Sequence, residues 1–418
     1  MILQTTTQAA ESAAASGKEK NSRGLYITVY CCIAYSFCYI LRNILSAFMP
    51  TILQSGDFTE KQLGTFGSVL LACYACGQFV NGFLGDRIKA KTMIATGLFL
   101  AGLCAFLFGL PAFGRLGALL WAVIGFSLSM LWGPITRVIV ETSGEARASL
   151  YLALAGTGAY LGMFLAYFLA IPAARHGAWR VYFLAGGAIV CVAAIAFWGI
   201  FPLLERTQES VPQVPGAQAA APRMSVRNTA LLQKPFLIML VATMLNGVIK
   251  HAVSYWIPTY FVDKLALDTG IASVISSVIP LIGIGTSFFA LLIYRWIRND
   301  IKTLAVLFAA STGALLLVAV GGGTVWLPVL GMLLSNTAMS IGNSVIFNMY
   351  CLRFRKTGCI SGVTGLLDSS CYGASAAANL LFTRLIAGAG WGATVLVWLL
   401  FSALGVAVSL CAMRAYRD

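Results

Sequence analysis

A chain whose apolar runs reach about twenty residues, again and again, has few folds open to it, because a helix of that length crosses the ~30 Å hydrocarbon core of a bilayer. Here such runs lie at 25–53, 63–85, 92–110, 117–140, 148–171 and 181–204, and again at 235–261, 271–296, 303–320, 325–351, 360–387 and 391–412. They are too long and too evenly apolar for barrel strands, which alternate polar and apolar residues over ~10 positions. Helices satisfy every backbone group internally, as lipid requires. Only 10% of the residues are charged and 59% are hydrophobic, whereas a soluble domain carries roughly 25% charged residues; mean hydropathy is +0.85. The expectation is an all-α membrane protein of twelve transmembrane helices, monomeric, with the lipid bilayer as its solvent.

Between 205 and 234 the composition changes to Pro212, Pro215, Pro222, Gln, Ser and charged residues. This reads as a flexible cytoplasmic linker between a six-helix bundle at 25–204 and a second at 235–418. The stretch 1–24 is polar and rich in Ala, Ser and Gln, without the compact apolar core and cleavage site of a signal peptide, and is read as a disordered cytoplasmic tail. A net charge of +14 in a soluble protein would point to nucleic acid. Here the basic residues fill the short segments between runs, so membrane orientation explains them and no nucleic-acid partner is expected. With the N-terminal tail inside, the outer loops keep only Lys61, Arg115, Arg175, Arg180 and Lys264, five of the 28 Lys and Arg. That bias places both termini in the cytoplasm of a multi-pass protein of the inner (plasma) membrane. The 11 cysteines sit almost wholly within apolar runs. Cys73-x-x-Cys76 lies in a span with no second ligand pair, so it reads as small packing residues. With two histidines and no intramembrane carboxylate pair, neither a metal, a cofactor nor an enzymatic site is expected.

The first run of each half can be laid over the other. Tyr39-Ile-Leu-Arg42 leads to Pro50-Thr51, and Gly247-Val-Ile-Lys250 leads to Pro258-Thr259 at the same interval. Parallel repeats of this kind place their substrate site at the repeat interface near mid-membrane. Arg42 and Lys250 are each several turns from the ends of their runs, where an unpaired cation costs at least ~2.5–3.5 kcal/mol. Two such costs at equivalent positions point to a shared hydrated cavity and an anionic ligand. Arginine offers a planar fork for carboxylate or phosphate, and lysine a point charge. The alternative is internal pairing, for which Asp368, inside the eleventh run, is the leading partner of Lys250. His251 follows Lys250 on a different helix face and is expected to be packed and neutral. Gly156, Gly158 and Gly162 form a small-residue face suited to close helix packing.

After the second run the chain reads Gly82-Phe-Leu-Gly85-Asp86-Arg87-Ile-Lys89-Ala-Lys91. This resembles the Gly-x-x-x-Asp-Arg loop signature of the major facilitator superfamily, departing from it at Lys89 and Ala90. The resemblance implies that family's fold, two pseudo-symmetric six-helix bundles. It also implies a cytoplasmic latch of Asp86 and Arg87, with Arg87 pairing to Glu141 or Glu145 and with Gly82 and Arg147 as further gating residues. A narrower likeness runs through both halves. Tyr35-x-x-x-Tyr39-x-x-Arg42 with Pro50, Trp132-Gly-Pro134 with Arg137, Lys250 with Trp256-Ile-Pro258-Thr259-Tyr260, and Gly362-x-Thr364-Gly365-Leu366 are similar to helices of the organophosphate–phosphate antiporters. Gln78 stands where the glycerol-3-phosphate branch has lysine, and the fifth run, Gly156-Thr-Gly158-Ala-Tyr160, lacks that branch's histidine. The implied substrate class therefore includes carboxylates and other organic anions.

These readings converge on a secondary transporter of a small anionic solute, working by alternating access and exchange. Its expected site is Arg42 and Lys250, with Tyr35, Tyr39, Tyr74, Gln78, Tyr260 and Asp368 around them. Two rivals stand beside it. One is a non-transporting sensor of the same fold. The other is a proton-coupled drug exporter, which two deep cations suit poorly and whose usual Gly-Pro motif is missing from the fifth run.

Overall fold

The structure is a computed structural model that describes residues 2–84, 88–143, 145–205, 234–321, 323–351 and 360–415. Within those helices, the side chains of 2–23, 82–83, 140–141, 143, 145–149, 153, 202–205, 234, 287, 348 and 360–362 are outside the described set. The first half comprises α1 (Ile2–Ser55), α2 (Glu60–Leu84), α3 (Ala90–Gly109), α4 (Gly117–Leu128), α5 (Trp132–Ser143), α6 (Glu145–His176) and α7 (Trp179–Glu205). The second comprises α8 (Lys234–Gly247), α9 (Ser254–Asp263), α10 (Thr269–Ile297), α11 (Asp300–Val320), α12 (Trp326–Asn348) and α13 (Ile360–Ala415). The expected tail falls on residues whose side chains are not described, and the linker on 206–233, outside the described residues.

Among the described residues, 11 helical stretches are long and apolar enough to cross a membrane. The last, Val363–Ala415, holds 53 residues, about 80 Å of helix at 1.5 Å per residue, more than twice the hydrocarbon thickness. It breaks at Gly390, whose φ of 76° and ψ of −178° no helix tolerates and which glycine alone adopts readily. That break falls between the last two expected runs, so α13 supplies two crossings and the bundle has twelve. Two runs read as continuous helix are interrupted. The fourth crossing is split between α4 and α5, where Pro134 in the first turn of α5 cannot donate to the preceding turn. The seventh is split by a π-helical turn, Val248–Val253, between α8 and α9.

The surface fits lipid. Large apolar side chains such as Val192, Leu400 and Leu119 stand more than half exposed around the bundle, a pattern that in water would amount to an extended adhesive patch. Close packing inside each half depends on small residues. A Cβ on Gly158 or Gly162 would run into the backbone carbonyls of Cys32 and Ser36 on α1, so α1 and α6 touch along their backbones. A Cβ on Gly156, expected on the same face, would meet nothing within 4 Å, so Gly156 takes no part in that seam. Between the halves, α2 packs on α13 and α6 on α10, a pseudo-symmetric pair of seams that leaves the faces of α1 and of the α8–α9 crossing toward the centre.

Candidate functional site

Helical spacing assembles the centre. Tyr35, Tyr39 and Arg42 recur at intervals of four and three on α1, which puts them on one face. Tyr74 and Gln78 are one turn apart on α2, and Asp368 and Tyr372 one turn apart on α13. Arg42 is buried. Its guanidinium carbon lies 4.2 Å from the Tyr74 ring centre, 4.5 Å from Tyr372 and 5.3 Å from Tyr39. The Tyr74 hydroxyl accepts a hydrogen bond from Gln78 Nε2 at 2.7 Å. Tyr35 stacks on Trp132 at 4.8 Å and meets Tyr39 edge-on at 5.0 Å. Both terminal nitrogens of Arg42, Nη1 and Nη2, are buried with no hydrogen-bond partner among the described residues. A desolvated fork without an acceptor is costly, and Nη1 and Nη2 together carry four N–H donors.

Lys250 enters from the other half on the π-helical turn. Such turns carry one residue more than the α-helix allows and are frequent at functional sites. The carbonyl of Lys250 accepts a hydrogen bond from Ser254 Oγ, and that hydroxyl accepts one from Asn336 Nδ2 on α12, so the irregular backbone is held by a side-chain chain. Lys250, Asp368 and Arg42 lie within electrostatic reach of one another. Among the described residues no ion pair joins Asp368 to either cation. All three occupy one polar centre, with Lys250 and Asp368 only half-buried.

Not every expected residue joins them. Tyr260 packs against Trp391 at 5.3 Å and Trp398 at 6.1 Å, inside an aromatic core of the second half. It lies ten positions beyond Lys250, about 15 Å along the helix. His251, expected on a different helix face from Lys250 and packed, packs against an aromatic ring. Its ring lies 4.7 Å from Tyr372, the ring that also covers Arg42. Tyr372 itself was missed, although its spacing of four from Asp368 was a usable signal. The latch residues Gly82, Asp86, Arg87, Glu141, Glu145 and Arg147 have side chains outside the described residues.

Hydrogen bonds between the halves gather at the end where α1 passes into α2. Tyr255 on α9 accepts from Ser46 Oγ through its carbonyl at 2.7 Å and donates its hydroxyl to the Leu63 carbonyl at 2.7 Å. Asn379 on α13 donates to the Gly64 carbonyl and to Ser68 Oγ, each at 3.0 Å, and accepts from Trp256 Nε1 at 2.8 Å. Gln54 donates to Thr269 Oγ1. The centre is therefore sealed on that side.

The family model described as Major Facilitator Superfamily matches residues 31–376. The chain is 29% identical over 159 residues to the probable hexose phosphate transport protein of Chlamydia muridarum, covering 38% of this chain and 34% of that one. Thus it spans about a third of that relative's length. It is 24% identical over 322 residues to the membrane sensor protein UhpC of Salmonella typhimurium, 73% of this chain and 70% of that protein. It is 27% identical over 132 residues to the glycerol-3-phosphate transporter of Haemophilus influenzae, 31% of this chain and 28% of that one. Among solved structures, a bacterial homolog to the human lysosomal transporter Spinster superposes with TM-score 0.73 at 13% identity, covering 94% of this chain and 97% of that one. The nucleoside transporter NupG gives TM-score 0.71 at 15% identity, covering 94% and 99%. A family match over most of the chain, the twelve crossings and the two seams agree: the chain belongs to the Major Facilitator Superfamily, a family of membrane transporters.

Proposed function

We propose that this transporter carries a small organic anion, an organophosphate or a carboxylate, by alternating access, and that it works by exchange. The carrying observation is the Arg42 fork, buried between the two halves with Nη1 and Nη2 unsatisfied. A carboxylate or phosphate offers the paired oxygens that such a fork takes, in charge-assisted hydrogen bonds. Lys250 supplies the second positive charge from the opposite half. Like charges in a poorly screened centre resist closure, and a bound anion relieves that resistance, which favours exchange over leak. The named relatives support phosphorylated solutes in particular, since two of them are a hexose phosphate transport protein and a glycerol-3-phosphate transporter.

The positive-inside bias assigns the sealed end to the outer face, with both termini in the cytoplasm of the plasma membrane. On that assignment the described conformation is closed at its outer end. The test is counterflow in proteoliposomes with a panel of labelled phosphate esters and carboxylates. One class should exchange in wild type, and both Arg42→Ala and Lys250→Ala should abolish that exchange. Full exchange by both variants would remove the site assignment.

A second reading, an anion sensor without transport, has one observation in its favour: the likeness to UhpC runs through 73% of the chain. Binding of the same anions without counterflow would select it.

A further inference from the structure

The two nitrogens that an anion would take, Nη1 and Nη2 of Arg42, are covered by protein. The Tyr74 and Tyr372 rings stand 4.9 Å apart at 74°, and the guanidinium carbon is 4.2 Å from one and 4.5 Å from the other. These separations put the cation in the corner of two nearly perpendicular rings. An anion cannot reach the fork while both rings hold their places. Tyr39 and Tyr74 belong to the same half as Arg42 and travel with it. Tyr372 belongs to the other half, seated on His251 of the π turn at 4.7 Å. A relative rocking of the halves would move Tyr372 off Arg42 and leave the other two rings where they are.

We propose that Tyr372 is a removable cap on the anion site: its ring face holds the Arg42 guanidinium while the site is empty, and an oxyanion binds by taking its place. This rests on the reading that Arg42 binds the anion. The attraction is that of a cation for the negative face of an aromatic ring, strengthened where water is excluded. Two consequences follow. Anion affinity is lowered by whatever the cap contributes, as for any ligand that must first displace an occupant. The ring also offsets part of one positive charge in the empty centre, so the unloaded halves can still close on one another. Tyr372 is a positioning residue in this scheme and not a ligand of the solute.

The experiment uses the purified full-length protein in detergent. Binding of inorganic phosphate, a hexose 6-phosphate and a dicarboxylate is measured by calorimetry for wild type, Tyr372→Phe, Tyr372→Leu and Arg42→Ala. Replacing Tyr372 with phenylalanines of increasing fluorination keeps the ring's volume while draining its negative face. Expected are binding tighter by roughly 2- to 30-fold in Tyr372→Leu, a stepwise rise in affinity from Tyr372→Phe along the fluorinated series, and none in Arg42→Ala. Should the leucine variant fail to fold, the fluorinated series decides alone. Unchanged or weaker binding in Tyr372→Leu, or a flat fluorinated series, overturns the cap and leaves the anion site standing, provided Arg42→Ala has lost binding. Retained binding in Arg42→Ala, or no binding of any of the three probes by any variant, overturns both readings.

Discussion

In the proposed mechanism Arg42 is the residue that takes the anion. Its fork lies against the faces of Tyr74 and Tyr372, the Tyr372 hydroxyl is close enough to bear on its charge, and Nη1 and Nη2 keep their hydrogen-bonding capacity. Replacement by lysine keeps the charge and loses the planar fork, so Arg42→Lys should weaken the exchanged anion by about tenfold, the loss of one charge-assisted bond worth ~1.5 kcal/mol. Lys250→Arg adds a fork at a point-charge position and should retain exchange at altered selectivity among anions. Apparent affinities from counterflow check both. The sequence made much of this legible. Tyr35, Tyr39 and Arg42 share a face by spacing alone, and the matched interval from Arg42 to Pro50 and from Lys250 to Pro258 located the two cations. Tyr372 was not legible as a partner of Arg42, nor His251 as the ring behind Tyr372, because these meetings depend on how α13 packs against α1 and the π turn, which no single helix encodes. Tyr260 misled for the related reason that the family motif containing it fixes its place in the chain but not the direction of its ring.

At the scale of elements, the seventh crossing is the informative one. A run read as uniform helix carries a π turn at its centre, held by Ser254 and Asn336. Asn336→Leu removes that support; it should lower transport more than stability, because the turn's helix remains packed while Lys250 loses its placement. Comparing turnover with the melting temperature separates the two. The α1–α6 seam behaves in the opposite way. Gly162→Val drives a side chain into the Ser36 carbonyl, and overpacking of this kind costs about 1–3 kcal/mol, read as a lower melting temperature in detergent. Outside the membrane, Asp57 ties the α1–α2 turn to the start of α7, accepting from Arg180 at 2.7 Å and from Trp179 Nε1 at 3.0 Å. Partial burial pushes its carboxyl up, and the bonds from Arg180, Ser55 and Trp179 outweigh that and hold it below the usual carboxylate range. A folded value below the unfolded one means the stabilisation is full above the unfolded value and is lost as pH falls through the folded one. Asp57→Asn should therefore cost ~0.2–1 kcal/mol at neutral pH, and the gap between the two melting curves should close in acid.

For the whole molecule, most of the hydrogen bonds that join the halves among the described residues lie at the end where α1 passes into α2, so the two bundles close there; one more, between the Tyr160 and Thr286 hydroxyls at 3.3 Å, joins α6 to α10 nearer mid-membrane. Ser46, Tyr255, Leu63, Gly64, Ser68 and Asn379 form that closure. Its existence was implicit in the six-plus-six repeat; its members were not, since each bond pairs residues from different halves. Locking it with a disulfide between Gln54→Cys and Thr269→Cys should stop counterflow, and reductant should restore it. Counterflow that persists in the locked protein would mean the halves do not need to part on this side. The most direct measurement is a structure of the protein with its exchanged anion bound. The account places an oxygen pair of that anion about 2.7–2.9 Å from Nη1 and Nη2 of Arg42, with Lys250 on its other side and the Tyr372 ring displaced. An anion bound elsewhere, with Arg42 still in the corner between Tyr74 and Tyr372, would contradict it.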